Sequence, residues 1–412
     1  MPTYTVTELL QQFHQNQSVW IARLASGDIH PLPSHERLFR SGATLAMHPG
    51  NSGVIMLPFG DTWADTHLPH NRALLWLGQR QVQDVLVWGM VPDTGIDLAM
   101  LAQGYRVGFE PWWMTRDLAA PIAMPVHEVM LATDRDIDLL PTSEVPYVMR
   151  DQLESTRRLV SGGHREVVWL MARINDQVVG QAIVNIVGEH AGLFNVGVGG
   201  RYRQRGIGTS LSLAAMHAAR ERGATTMNLN STPMGEAMYA RAGFQRVGVG
   251  QTWVRTGVDV YAGPGPRMQQ IITALGSGDL AALAGENVPA QLPNGLTAQE
   301  LAARFHQQDS LRYLIEHGHV PEIIALWEAG LRDEAIAATA DPRARELVIV
   351  PRAARPLHLA VEKGAGSLVL ALIQAGADLH ARDGEYRATP LDWAHACNKP
   401  TIARILHRAG SR

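Results

Sequence analysis

Leu193-Phe194-Asn195-Val196-Gly197-Val198-Gly199-Gly200-Arg201-Tyr202-Arg203-Gln204-Arg205-Gly206-Ile207-Gly208-Thr209 is the stretch whose reading decides the fold. Its first part is apolar, its middle interleaves arginine with glycine, and Ile207, Leu211, Ala214, Ala215 and Ala218 then recur on one helical face. The pattern predicts a buried strand, a tight turn and an amphipathic helix. At such a junction the first-turn amides of the helix lack acceptors, the helix dipole presents its positive end, and glycines leave room for an anion. A plain strand-to-helix turn would leave Arg201, Arg203 and Arg205 repelling one another with nothing to offset them. The expected ligand carries a pyrophosphate.

Spacing narrows the choice. A dinucleotide loop needs G-x-G-x-x-G, but after Gly197 and Gly199 the third position is Tyr202. A nucleoside-triphosphate loop ends in Gly-Lys-Ser/Thr, and no lysine stands beside Gly208-Thr209. What fits is Arg203-x-x-Gly206-x-Gly208, which resembles the Q/R-x-x-G-x-G/A acyl-CoA signature of the GNAT superfamily of N-acetyltransferases. The resemblance runs from about residue 126 to 260. It takes in a hairpin, 167–174 and 178–187, turning at Asn175-Asp176, then the motif strand and its helix to about Arg222. A short strand near 226–229 follows, and Ser231 to Phe244 is similar to the family's S-x-x-G-x-x-x-Y-x-x-x-G-F ending.

Further motifs extend the organisation in both directions. Leu101-Ala102-Gln103-Gly104-Tyr105 parallels Arg241-Ala242-Gly243-Phe244 at an offset of 139 residues, with a strand expected at 85–89 but no arginine-glycine loop before it. Residues 1–125 are therefore expected to form a degenerate, non-catalytic GNAT-like domain that helps wall the substrate cleft, ahead of a catalytic domain over 126–262. Gly263-Pro264-Gly265-Pro266 marks a boundary. Past it, Arg355-Pro356-Leu357-His358-Leu359-Ala360 recurs as Thr389-Pro390-Leu391-Asp392-Trp393-Ala394, and Thr297 to Gly318 is a worn earlier copy. The units resemble ankyrin repeats, so 266–412 is expected to be an all-α solenoid of about three or four stacked copies. The fold class is thus a mixed-sheet α/β (α+β) GNAT fold, in tandem, followed by that solenoid.

Composition sets limits. The 412 residues suit several domains, and a net charge of −3 from 36 basic and 39 acidic residues offers no broad field for nucleic acid. The single Cys397 excludes an internal disulfide framework, the amino terminus shows no basic-then-apolar leader, and no apolar run approaches a membrane span. A soluble cytoplasmic protein without membrane or nucleic-acid partners is expected.

The resemblance assigns roles. It implies that acetyl-CoA (coenzyme A) is held by the turn Arg203, Gln204, Arg205, Gly206, Ile207, Gly208 and Thr209, with the strand end at Val196 and Val198 aligning the pantetheine arm. Ser231 and Thr232 either contact that arm or cap the next helix. Tyr239 occupies the family position of the general acid; an unperturbed phenol titrates near ~10 and is protonated at neutral pH. Glu189, in the turn before the motif strand, and Glu236 are candidate bases beside a water relay. No metal is expected: Asp65, His67 and His70 read as a loop with surface histidines, and His395 with Cys397 as helix residues. Trp88, Trp112, Trp113, Trp169 and Trp253 serve two cores or an aromatic cleft. The function implied is transfer of an acetyl group to a primary amine of a small molecule, a metabolite or an antibiotic, in detoxification or resistance. The alternatives are a protein N-acetyltransferase that docks its substrate on the ankyrin repeats and a non-catalytic interaction scaffold.

Overall fold

The computed structural model describes residues 4–31, 36–41, 44–48, 52–60, 63–90, 94–147, 150–257, 262–349, 353–384 and 387–411; the extreme amino terminus, read above as lacking a leader, lies outside them. The chain divides into two units, residues 1–100 with 105–263, and 101–104 with 264–412.

The first unit runs α1 (Val6–Ser26), β1 (Leu38–Ser41), β2 (Thr44–Met47), β3 (Ser52–Met56), α2 (Trp63–Gly78), β4 (Asp84–Gly89), α3 (Thr94–Ala102), β5 (Arg106–Val107), β6 (Trp112–Asp117), β7 (Val129–Leu131), α4 (Asp134–Leu139) and α5 (Arg150–Ser161). It continues with β8 (Val167–Ile174), β9 (Gln177–Val187), β10 (His190–Val198), α6 (Ile207–Glu221), β11 (Thr226–Ser231), α7 (Pro233–Arg241), β12 (Gln245–Val249) and β13 (Gln251–Thr256). One sheet has the order β1-β2-β3-β4-β13-β5, the other β12-β6-β11-β10-β9-β8-β7.

The two halves repeat one plan. A hairpin, β1-β2 or β8-β9, leads to a strand whose parallel neighbour lies across a helix: β3 and β4 across α2, β10 and β11 across α6. This is the mixed-sheet tandem expected. Asn175 and Asp176, at φ 50° and 61°, form the two-residue turn that matches strand twist. β9 is buried along almost its whole length because α6 packs on it and α1 packs on it too. Each half then gives its last strand away. β6 lies between β11 and β12, and β13 lies between β4 and β5. Neither half closes its sheet from its own segment of chain.

The core corrects one expectation. The Asp65-His67-His70 segment lies within α2, which continues through Pro69. Proline in a helix interior costs about 3 kcal/mol, but Thr66, His70, Ala73, Leu74 and Leu77 form an unbroken buried stripe whose packing outweighs it. His70 is not on the surface: it is fully buried, with Nε2 3.0 Å from the Tyr105 hydroxyl. Burial above all lowers its pKa from 6.5 to about 4. Between those values the unfolded chain binds a proton that the folded one refuses. The stability owed to neutral His70 is complete above pH 6.5 and lost as pH falls toward 4, with a slope of at most about 1.4 kcal/mol per pH unit. Chemical denaturation of His70→Gln across that window is expected to show a flatter acid limb than the wild type; an identical limb would contradict the assignment.

The second unit is helical: α8 (Pro266–Ser277), α9 (Leu280–Leu283), α10 (Ala298–Arg304), α11 (Gln308–Glu316), α12 (Ile323–Glu328), α13 (Arg332–Ala338), α14 (Pro342–Arg345), α15 (Pro356–Glu362), α16 (Gly366–Gln374), α17 (Pro390–Ala396) and α18 (Pro400–Arg408). First helices stack on first helices, α8 on α10, α10 on α12, α12 on α15 and α15 on α17. Thr297 with Glu300 and Thr389 with Asp392 form capping boxes that start two of them. Buried His358 reaches the carbonyls of Ala381 and Ala388, at 3.1 and 3.2 Å, and so ties one repeat to the next. Among the described residues no helix is long and apolar enough to cross a membrane, and no cluster of ligands could hold a metal.

Candidate active site

The site begins where two parallel strands part. β10 and β11 are paired from His190↔Thr226 to Leu193↔Leu229 and no further. A bulge between Phe194 and Gly197, with Asn195 at φ 52°, turns the end of β10 toward β9, where Gly197 and Val198 pair with Gln181 and Gly180. The bulge leaves Val196 and Val198 packed against the α6 side of the sheet. A wedge opens between β10 and β11, and the turn into α6 follows at its mouth.

That turn is a cradle. Gln204 at φ 60° and Gly206 at φ 83° adopt left-handed backbone, which aims successive amides inward. Gly206 is the N-cap of α6 and no side chain caps the helix, so the first-turn amides of Ile207, Gly208 and Thr209 keep their donors for a ligand. Ile207 is buried and anchors the helix, while Arg203, Gln204, Arg205 and Gly206 are exposed. A Cβ on Gly208 would fall 2.7 Å from Met238 Sδ, so the floor there is full. These features fit a pyrophosphate, and so fit coenzyme A.

The arginines divide in a way the sequence did not disclose. Arg201 grips Glu144 through both carboxylate oxygens. Arg203 Nε donates to the Val198 carbonyl at 3.3 Å, and neither it nor Arg205 has a carboxylate partner among the described residues. His127 brings Nε2 to 2.7 Å from the Arg205 carbonyl, bracing the turn. Nothing in the local pattern pointed to His127 or Glu144.

Tyr239 stands on α7, which starts directly after β11. Its ring packs edge-on against Phe244 at 5.8 Å. Burial, followed by the nearby Tyr147, pushes the phenol pKa well above its ordinary 10.0. Thr232 is the N-cap of α7 and accepts from the Gly235 amide at 3.3 Å, while Ser231 Oγ donates to the Thr232 carbonyl at 2.8 Å. At the corresponding place in the first half, 139 residues earlier, stands buried Met100, which has no proton to give.

The structure does not bring Glu189 to this group. It is exposed beside the first residue of β10, with its carbonyl bound by the Thr225 amide at 2.8 Å. The nine-residue strand from His190 to Val198, eight steps of 3.3 Å or about 26 Å end to end, then separates it from the cradle. Glu236 lies 3.6 Å from the Arg246 guanidinium. Of the tryptophans, Trp88, Trp113, Trp169 and Trp253 are buried, and Trp112 lies under Arg246 with 4.4 Å from the guanidinium to the ring centre.

Comparison with known proteins agrees with the fold and its repeats. Residues 136–251 match the model of the acetyltransferase (GNAT) family, and residues 355–384 match that of the ankyrin repeat. The chain therefore carries a GNAT acetyltransferase domain, the domain of an acyltransferase, and a carboxy-terminal ankyrin repeat. Among solved structures, a GCN5-related N-acetyltransferase from Sphaerobacter thermophilus is 17% identical, with 61% of this chain and 93% of that one covered and a TM-score of 0.44. One from Kribbella flavida is 14% identical over 60% and 96%, with a TM-score of 0.38. A tandem GNAT protein from the clavulanic acid biosynthesis pathway is 15% identical over 63% and 96%, with a TM-score of 0.40. No curated protein matches the chain.

Proposed function

We propose that the protein transfers an acetyl group from acetyl-CoA to a primary amine of a small molecule. The observation that carries this reading is the wedge between β10 and β11 opening onto an uncapped helix N-terminus. When bound, acetyl-CoA supplies the thioester whose carbon–sulfur bond breaks as the nitrogen–carbon bond forms. The amides of Ile207, Gly208 and Thr209 and the charges of Arg203 and Arg205 hold its pyrophosphate, and Val196 and Val198 line the arm. The raised pKa of Tyr239 keeps the proton on its oxygen across neutral pH, where it can be donated as charge develops on sulfur. Glu189 is remote and Glu236 faces Arg246, so removal of the amine proton falls to water.

Tyr239→Phe tests the assignment. Turnover is expected to fall by about a hundredfold or more, with the calorimetric Kd for acetyl-CoA within a few-fold of wild type; unchanged turnover would remove the phenol from the mechanism. The stacked helix pairs favour one second reading, a protein acceptor docked on the repeats. In that case a small amine would be acetylated equally well with and without residues 264–412, and a protein acceptor only with them.

A further inference from the structure

On the face of the second sheet opposite α6, where β10 and β11 part, lies a small recess of about 10 Å³, room for one water-sized group such as a single oxygen. Its walls include Phe13, Asn16 and Gln17 of α1, Trp113 of β6, and Asn228 and Asn230 of β11. The amino-terminal half, whose sequence carries no arginine-glycine loop, thus provides one side of it. α1 is fixed there by Asn16, whose Nδ2 donates to the His190 carbonyl at 3.0 Å and whose Oδ1 accepts from Asn185 at 2.9 Å.

Two properties of the recess bear on what enters it. Among the described residues no ionisable side chain lines it, so a carboxylate or a second ammonium on the entering molecule would be desolvated without a counter-charge. Asn228, 2% exposed, spends its Oδ1 on the Thr115 hydroxyl at 2.8 Å, and its Nδ2 has no hydrogen-bond partner among the described residues. A buried donor left unmet is costly, and such groups are ordinarily satisfied by protein, ligand or water. Asn230, on the same strand, directly precedes Ser231, the last residue of β11, beyond which α7 carries Tyr239. The recess and the start of α7 therefore share the carboxy-terminal half of β11.

Resting on the acetyl-transfer reading, we propose that the acceptor is an amine carrying an uncharged oxygen close to its amino group, an amino amide or amino alcohol, and that Asn228 Nδ2 binds that oxygen in this recess. Amino acids with a free carboxylate are excluded by the neutral lining. Asn228 is then a specificity-determining residue, and α1 is the wall that limits the acceptor to a compact end group.

The test uses the full chain with glycinamide, ethanolamine, glycine and ethylamine in a thiol-release assay. Glycinamide and ethanolamine are expected to exceed the other two by about tenfold in kcat/KM, the worth of one well-made hydrogen bond to a buried donor. Asn228→Leu is expected to erase that preference while leaving the calorimetric Kd for acetyl-CoA unchanged. Should Asn228→Leu fail to fold, Asn228→Asp keeps an acceptor for Thr115, removes the donor and is expected to erase the preference too. A preference for glycine, or one that survives both substitutions, overturns the proposal. If acetyl-CoA gives no heat with folded protein, the acetyl-transfer reading fails, and saturation-transfer NMR with glycinamide alone then judges the recess. A signal lost in Asn228→Leu upholds the oxygen site; equal signals overturn it.

Discussion

Gly206→Val is expected to abolish measurable acetyl-CoA binding. The residue sits at φ 83°, where a β-branched side chain is strongly disfavoured, and a left-handed conformation costs an L-residue about 1–2 kcal/mol before branching is counted. Space is not the obstacle, since a Cβ there meets only His127 at 3.7 Å. The backbone is. Relaxing φ to a negative value would swing the amides of residues 206 to 208 away from the point on which they converge, and with them the donors proposed to hold the pyrophosphate. Gly206→Asn separates the causes, because asparagine tolerates left-handed backbone. Calorimetry is expected to find its Kd within a few-fold of wild type and that of Gly206→Val raised by about a hundredfold or more, the equivalent of roughly 3 kcal/mol. Equal affinities for the two variants would sink the cradle argument.

Trp253→Ala is the second large effect, and it acts on the half that does not contain residue 253 in sequence. Trp253 belongs to β13, which follows the cradle and α7 in the chain, yet it is fully buried among Leu77, Val85, Val87, Met100 and Tyr105 of the amino-terminal half. Its Nε1 donates to Asp97 Oδ1 at 2.7 Å. Truncating a buried tryptophan costs about 3–5 kcal/mol, and removing a donor from a buried carboxylate adds to it. A shift of the whole unfolding transition by about 3 kcal/mol or more in chemical denaturation is expected. Hydrogen exchange should show the largest loss of protection in β4 and α3. A loss below about 1 kcal/mol would mean that the strand is not held as described.

What the sequence disclosed follows from how local each feature is. The cradle was legible because one contiguous run carries the strand, the glycines and the helix face. Tyr239 was reached through a motif on a single strand–helix unit, and the hairpin through Asn175-Asp176. Features made by distant segments were not legible. The pairing of Arg201 with Glu144 spans 57 residues and removes one of the three arginines that the turn presents. The placement of α1 across the second sheet leaves no trace in the periodicity of α1 itself. Pro69 reads as a helix breaker, and only the buried stripe on either side of it carries α2 through. Glu189 looked close to the motif because it is close in number, but a nine-residue strand runs between them.

The exchange of β6 and β13 governs the order of events during synthesis. The sheet of the amino-terminal half lacks a strand between β4 and β5 until residues 251–256 have left the ribosome, although every other strand of it emerges before residue 108. The leading half of the nascent chain must therefore wait, with a gap in its sheet open to misplaced partners, until nearly the whole first unit has been translated. Its partner strand, β6, meanwhile emerges first and waits for β11 and β12. Maturation of the two halves is a single event, and a ribosome that stalls before residue 251 releases neither.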